Sequence, residues 1–176
     1  MIFGRTIIQF FCLAILLFSA TSILAQISCT EVAEEAGLDH FYLSATYMGG
    51  GTAILDFDND GDEDIWIAGG LNRDVLFENL GNGNFEEIGE QAGLLASLGN
   101  VTSGAISGDF DNDGYRDVIT LPHVGSAPLL FRNNGDGTFS EISEEAGLKD
   151  LKGQSHAGAI GDVNMDGLLD IYLTRY

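Results

Sequence analysis

The sequence is poor in positive charge, proline and cysteine, and each shortage closes a class of reading. Seven Lys and Arg residues stand against 27 Asp and Glu, a formal net charge of −20 at pH 7. Nucleic-acid binding is driven by cationic side chains that neutralise phosphates, so this balance argues against a DNA or RNA partner and makes cations the natural counter-ions. Two prolines provide no proline-rich linker. The 24 glycines, by contrast, are roughly twice the usual frequency of about 7% and imply many tight turns between short strands. Of the two cysteines, Cys12 lies in an apolar leader, which leaves Cys29 alone and rules out an internal disulfide in the mature chain. The three histidines, His40, His123 and His156, stand apart from any Ser or Cys that would complete a nucleophilic triad, so structural roles are expected of them. What remains is ample for a core: 45% of the residues are hydrophobic, with 11 Phe and 5 Tyr.

The one long apolar run, Ile7–Ala25, follows Arg5 and ends in Thr21-Ser22-Ile23-Leu24-Ala25-Gln26. A short basic start, an apolar stretch and a small residue before the cut read as a secretory signal peptide over residues 1–25. An uncleaved anchor is the alternative, because about 19 apolar residues just span a bilayer. Either way the remainder, residues 26–176, is exported, to the periplasm or cell surface if the source is bacterial, with no stable membrane insertion once the signal is cut.

Self-similarity organises that remainder. Asp56-Phe57-Asp58-Asn59-Asp60-Gly61-Asp62-Glu63-Asp64 recurs at Asp109–Asp117 and again at Asp162–Asp170, at intervals of 53 residues. A second element interleaves with it, since Leu76–Phe85 matches Leu130–Phe139, and each copy runs on to Ala92-Gly93-Leu94 or Ala146-Gly147-Leu148. Cys29–Leu38 repeats the last part alone, which places Cys29 in the slot of Phe85 and Phe139 and predicts that it points into a core. Within a period, Gly51–Leu55, Ile65–Ala68, Val75–Glu78 and Phe85–Ile88 are β-branched or aromatic runs bounded by turn residues, hence four short strands. Four strands every 53 residues predict an all-β chain of β-propeller blades, each a four-stranded antiparallel sheet. The third period stops before its hairpin, so the sequence reads as the N-terminal fragment of a larger ring, seven blades of this period needing about 370 residues. Cys29–Val32 is placed to complete the last blade of that ring.

Nearly half of the acidic residues fall inside the three loops. Asp at positions 1, 3, 5 and 9, with Gly at 6 for the sharp turn, gathers carboxylates that would repel one another without a cation. Oxygen ligands in a flexible loop suit Ca²⁺, which accepts roughly six to eight of them, better than Mg²⁺; the absence of His and Cys disfavours zinc and copper. The candidate ligands are Asp56, Asp58, Asp60, Asp62 and Asp64, then Asp109, Asp111, Asp113, Tyr115 and Asp117, then Asp162, Asn164, Asp166, Leu168 and Asp170. Asp62, Tyr115 and Leu168 would contribute through the backbone carbonyl, giving up to three calcium ions.

An EF-hand is excluded, because it needs a Glu at position 12 where Ile67, Thr120 and Leu173 stand in strand-like runs. Closure at position 9 between strands instead resembles the FG-GAP or VCBS repeats of integrin α-subunit propellers. The Asp-Phe-Asp-Asn-Asp-Gly form, with Glu-x-Ala-Gly-Leu between loops, is more specifically similar to the cartilage acidic protein and ASPIC/UnbV group of secreted proteins. That resemblance covers residues 27–176 and implies a propeller, usually of seven blades, stiffened by calcium; Asn164 departs from the pattern in the third loop. The expected function is a non-enzymatic extracellular binding or adhesion module for a protein or glycan ligand. The alternative is the propeller portion of a carbohydrate-binding or polysaccharide-degrading exported protein. Trp66 is expected in a blade core, and Asn100-Val101-Thr102 fits a glycosylation sequon.

Overall fold

The structure is a computed structural model that describes residues 29–43, 50–123 and 125–175. The apolar segment Ile7–Ala25 lies outside the described residues. Among those that are described, no helix is long and apolar enough to cross a membrane. Val32–Tyr176 forms one compact unit.

Strands form where the alternating runs stand. Strands β1 (Thr52–Leu55), β2 (Asp64–Ile67), β3 (Val75–Asn79) and β4 (Phe85–Glu87) pair in chain order as an antiparallel four-stranded sheet. Strands β5 (Thr102–Gly108), β6 (Asp117–Pro122), β7 (Leu129–Asn133) and β8 (Phe139–Glu141) repeat that order, and β9 (Gly158–Gly161) pairs with β10 (Asp170–Leu173). The only helical element among the described residues is one 3-10 turn at Leu94–Ser97. Register repeats as faithfully as sequence: Leu55 faces Asp64, Gly108 faces Asp117 and Gly161 faces Asp170. Each Asp loop is therefore the connection between the first and second strands of a blade, and its ninth residue is already in the ladder.

The core forms between sheets as well as within them. Trp66 of β2, fully buried, packs edge-on against Phe139 of β8 with ring centroids 5.3 Å apart, and tilted against Phe131 of β7 at 5.1 Å. Phe57, the second residue of the first loop, stacks on Phe139 at 6.3 Å. Aromatic pairs at such separations contribute about 0.5–1.5 kcal/mol beyond their buried area, so they fasten the first blade to the second. Trp66 is thus the core residue its strand position predicts.

The Ala-Gly-Leu turns make a second fastening. Phe85 donates its amide to the Ala36 carbonyl at 2.7 Å, and Phe139 donates to the Ala92 carbonyl at 2.8 Å, so each turn docks on the fourth strand of the following blade. Gly93 has φ +92°, and a Cβ there would lie 2.8 Å from the Phe139 carbonyl oxygen; Gly147 has φ +71° with open space around it. A left-handed φ alone costs an L-residue roughly 1 kcal/mol. Gly93→Ala is therefore expected to destabilise the protein about twice as much as Gly147→Ala, as measured by denaturant unfolding of the two variants.

Cys29 departs from its expected setting. It is exposed, whereas Phe139 in the equivalent slot is buried. Phe139 owes its burial to Trp66 and Phe57 of the preceding blade, and residues 29–32 adopt no strand that would set Cys29 against such a surface.

Candidate metal centres in the aspartate loops

Each loop winds on its own carboxylates. Asp56 accepts the amides of Asp60 and Gly61, both at 3.1 Å, Asp58 accepts Asp60 at 3.2 Å, and Asp60 accepts Asp62 at 2.8 Å. The second loop repeats this with Asp109, Asp111 and Asp113 as acceptors and Asp113, Gly114 and Tyr115 as donors. The third does so with Asp162, Asn164 and Asp166. These short-range bonds explain why Asp and Asn suit positions 1, 3 and 5, since their short side chains readily accept from an amide two to five residues ahead. Gly61, Gly114 and Gly167 all have φ near +90°, as position 6 was expected to require.

The ninth residue also ties the loop to its sheet. Asp64 is buried and uses both oxygens, accepting Phe57 N–H at 3.0 Å and Asn79 N–H at 2.8 Å. Asp117 does the same with Phe110 at 2.9 Å and Asn133 at 2.8 Å. One carboxylate thus ties the loop to the third strand. Burial, with the charges of Asp58 and Asp60 adding to it, pushes the Asp64 carboxyl up to about 6 despite those two amides. Asp117 is raised for the same reasons, with Asp111 and Asp113 as the neighbours. A buried carboxyl raised in this way, with other carboxylates adding to the shift, is relieved by a bound cation.

One oxygen from each of Asp56, Asp58 and Asp64 lies within 4.8 Å of the others, and Asp109, Asp111 and Asp117 converge likewise. The structure thus gathers positions 1, 3 and 9 of the first two loops. Position 5, Asp60 or Asp113, accepts the amide at position 7 through one of its two carboxylate oxygens. The side chain of position 7 turns outward: Asp62 and Tyr115 lean over Gly81 and Gly135 of the hairpin turns, each within 3 Å of where a glycine Cβ would be. Only a backbone carbonyl is then left for that position to offer. In the third loop Asn164 replaces the middle acid, and its amide donates to Asp166 at 2.9 Å. The donor set of the first two loops is all oxygen and anionic, and it fits a hard divalent cation.

Sequence reasoning overlooked Asn79 and Asn133. Each ends a third strand, gives its amide to the loop carboxylate, and caps the following turn by accepting Gly81 or Gly135 N–H. Asn133 Nδ2 also donates to the Phe57 carbonyl of the first loop at 2.7 Å, across 76 positions. The recurring Asn in Leu-Phe-x-Asn was the available signal. Away from the loops, the rings of His123 and His156 stand 5.5 Å apart, and burial foremost lowers the His123 pKa, as it does that of His40.

Comparison with known proteins agrees with this geometry. The FG-GAP-like repeat family matches residues 56–120 and 109–173, so each match runs from one Asp loop through the next. Cartilage acidic protein 1 of Homo sapiens is 28% identical over 143 residues, covering 73% of this chain and 21% of the relative. Its Xenopus tropicalis counterpart is 28% identical over 140 residues, covering 71% and 21%. The chain spans about a fifth of the length of these curated relatives.

Proposed function

Because the chain belongs to the FG-GAP-like repeat family, we propose that it is an exported propeller module that binds calcium in its Asp loops and presents a rigid surface to an extracellular protein or glycan. The observation that carries this reading is the double convergence of Asp56, Asp58 and Asp64 and of Asp109, Asp111 and Asp117. Calcium here is structural. The acids that face it also hold the loop backbone, and Asp64 and Asp117 hold the third strand, so an ion among them stiffens the blade. Kinship with a protein named cartilage acidic protein supports an acidic, extracellular module of this kind.

Calcium titration with each loop disabled in turn tests the proposal. Affinity is expected to fall from the first loop to the third, because ligand charge is a main control on oxygen sites. The first loop has four ligand carboxylates and the added field of Asp62; in the second, Arg116 opposes. In the third, Asn164 leaves three acids, and one of them, Asp166, already accepts the Asn164 amide. Equal affinities in the three loops would discard the charge argument, and absence of any calcium response would discard the function.

A further inference from the structure

Neighbouring loops are joined by the same residue in the same place. Asn59, at position 4 of the first loop, donates from Nδ2 to the carbonyl of Gly114, position 6 of the second, at 3.2 Å. Asn112 of the second loop donates to the carbonyl of Gly167 in the third at 2.8 Å. Both asparagines sit in the left-handed region, at φ 62° and 59°, where Asn is among the few side-chain-bearing residues at ease. That conformation turns the side chain away from its own loop toward the next blade. Position 4 of the third loop is Met165, also at φ 61° but 88% exposed and without a donor in its side chain.

The two ends of each bond are placed to transmit order. Asn59 stands between Asp58 and Asp60, so its backbone is fixed when the first loop closes on an ion. Its acceptor belongs to the peptide that joins Gly114 to Tyr115, and the amide of that peptide donates to Asp113 at 2.9 Å. Holding this peptide orients the turn that delivers the Tyr115 carbonyl to the second centre. Building on the calcium reading above, we propose that Asn59 and Asn112 are positioning residues that couple calcium occupancy between adjacent blades, each asparagine linking its own loop to the one that follows. Loop closure is costly in conformational entropy, and a loop whose neighbour is already ordered has less to lose on binding. The coupling is reciprocal by linkage, so filling either loop favours its partner.

The test uses the full chain labelled with 15N-glycine, with the amides of Gly61, Gly114 and Gly167 reporting each loop separately during calcium titration. These amides donate to the first carboxylate of their own loops and shift when that carboxylate turns to an ion. Asn59→Gly keeps the left-handed backbone without strain and deletes only the side chain. It is expected to raise the calcium concentration for half-saturation at Gly114 by about 2- to 10-fold, the range of one net hydrogen bond. Asn112→Gly moves the effect to Gly167, and Met165→Gly leaves Gly61 and Gly114 unchanged. Weakening the first loop by Asp56→Asn likewise weakens the second in the native background and ceases to do so alongside Asn59→Gly, as a thermodynamic cycle requires of a coupling residue. An unchanged Gly114 titration in Asn59→Gly, with all loops still binding, overturns the coupling and leaves the calcium reading intact. Glycine amides indifferent to calcium in the native chain overturn the calcium reading and the coupling with it.

Discussion

Chelation of calcium is expected to lower the melting temperature of the folded protein by on the order of 15 °C. Binding to the native state alone stabilises it by about 2.7 kcal/mol per site when free calcium is roughly 100 times the dissociation constant. Two filled trios, Asp56-Asp58-Asp64 and Asp109-Asp111-Asp117, then contribute about 5 kcal/mol, and each kcal/mol moves the midpoint by about 2–4 °C in a chain of this size. The loops are the right place for such a loss. Without the ion, Asp64 is buried at the centre of a carboxylate cluster, yet the same carboxylate must hold both the loop and β3. Asp60→Ala is expected to remove more of the calcium-dependent increment than Asp166→Ala, following the ligand charge. Differential scanning calorimetry with and without chelator measures both quantities, and a midpoint indifferent to chelator would remove calcium from the account of stability.

Asp74 produces the second large effect, and it lies outside the loops. Its side chain is fully buried between the first two blades, where Oδ1 accepts Gly69 N–H at 2.8 Å and the Thr102 hydroxyl of β5 at 2.6 Å. Its own amide donates to Ser97 Oγ at 2.8 Å, and that hydroxyl donates in turn to the Leu94 carbonyl. Asp74→Ala strands two buried donors and opens a void, so a loss of about 3 kcal/mol or more is expected in equilibrium unfolding.

Burial pushes the Asp74 carboxyl up to about 6 from 3.8, opposed by the Thr102 and Gly69 hydrogen bonds. Folding thus favours the protonated acid. The contribution is fully present below pH 3.8, declines as pH rises, and is lost once pH passes about 6, a swing on the order of 3 kcal/mol. Asp74→Asn keeps an acceptor for both donors and removes the titration. In chelator, where the loop acids behave alike in both proteins, the native chain should gain stability from pH 7.5 to pH 5 relative to Asp74→Asn. Parallel stability curves for the two would show that Asp74 does not titrate in this range.

The strands and loops were legible because their causes are local. Ile65-Trp66-Ile67 alternates at the strand period, Gly61, Gly114 and Gly167 fix the loop turn, and Asp at positions 1, 3 and 5 bonds to amides a few residues on. The pairing order of each sheet followed, since short connections join neighbouring antiparallel strands. Cys29 shows where alignment stops: it marks a register position, but burial needs a facing surface, and only Phe139 meets Trp66 and Phe57.

By itself, then, the sequence determined the period, the blade and the Asp loops, all of which arise from backbone preferences and hydrogen bonds spanning a few residues. Only the tertiary structure decided what joins one blade to the next: Asn133 reaching the Phe57 carbonyl, Thr102 donating to Asp74, and Asn59 and Asn112 reaching Gly114 and Gly167. Those bonds link residues 28 to 76 positions apart, and their existence depends on the angle and separation at which two twisted sheets stack. That stacking is set by the summed packing of Trp66, Phe131, Phe139 and Phe57 across the sheets, a property that no single repeat contains.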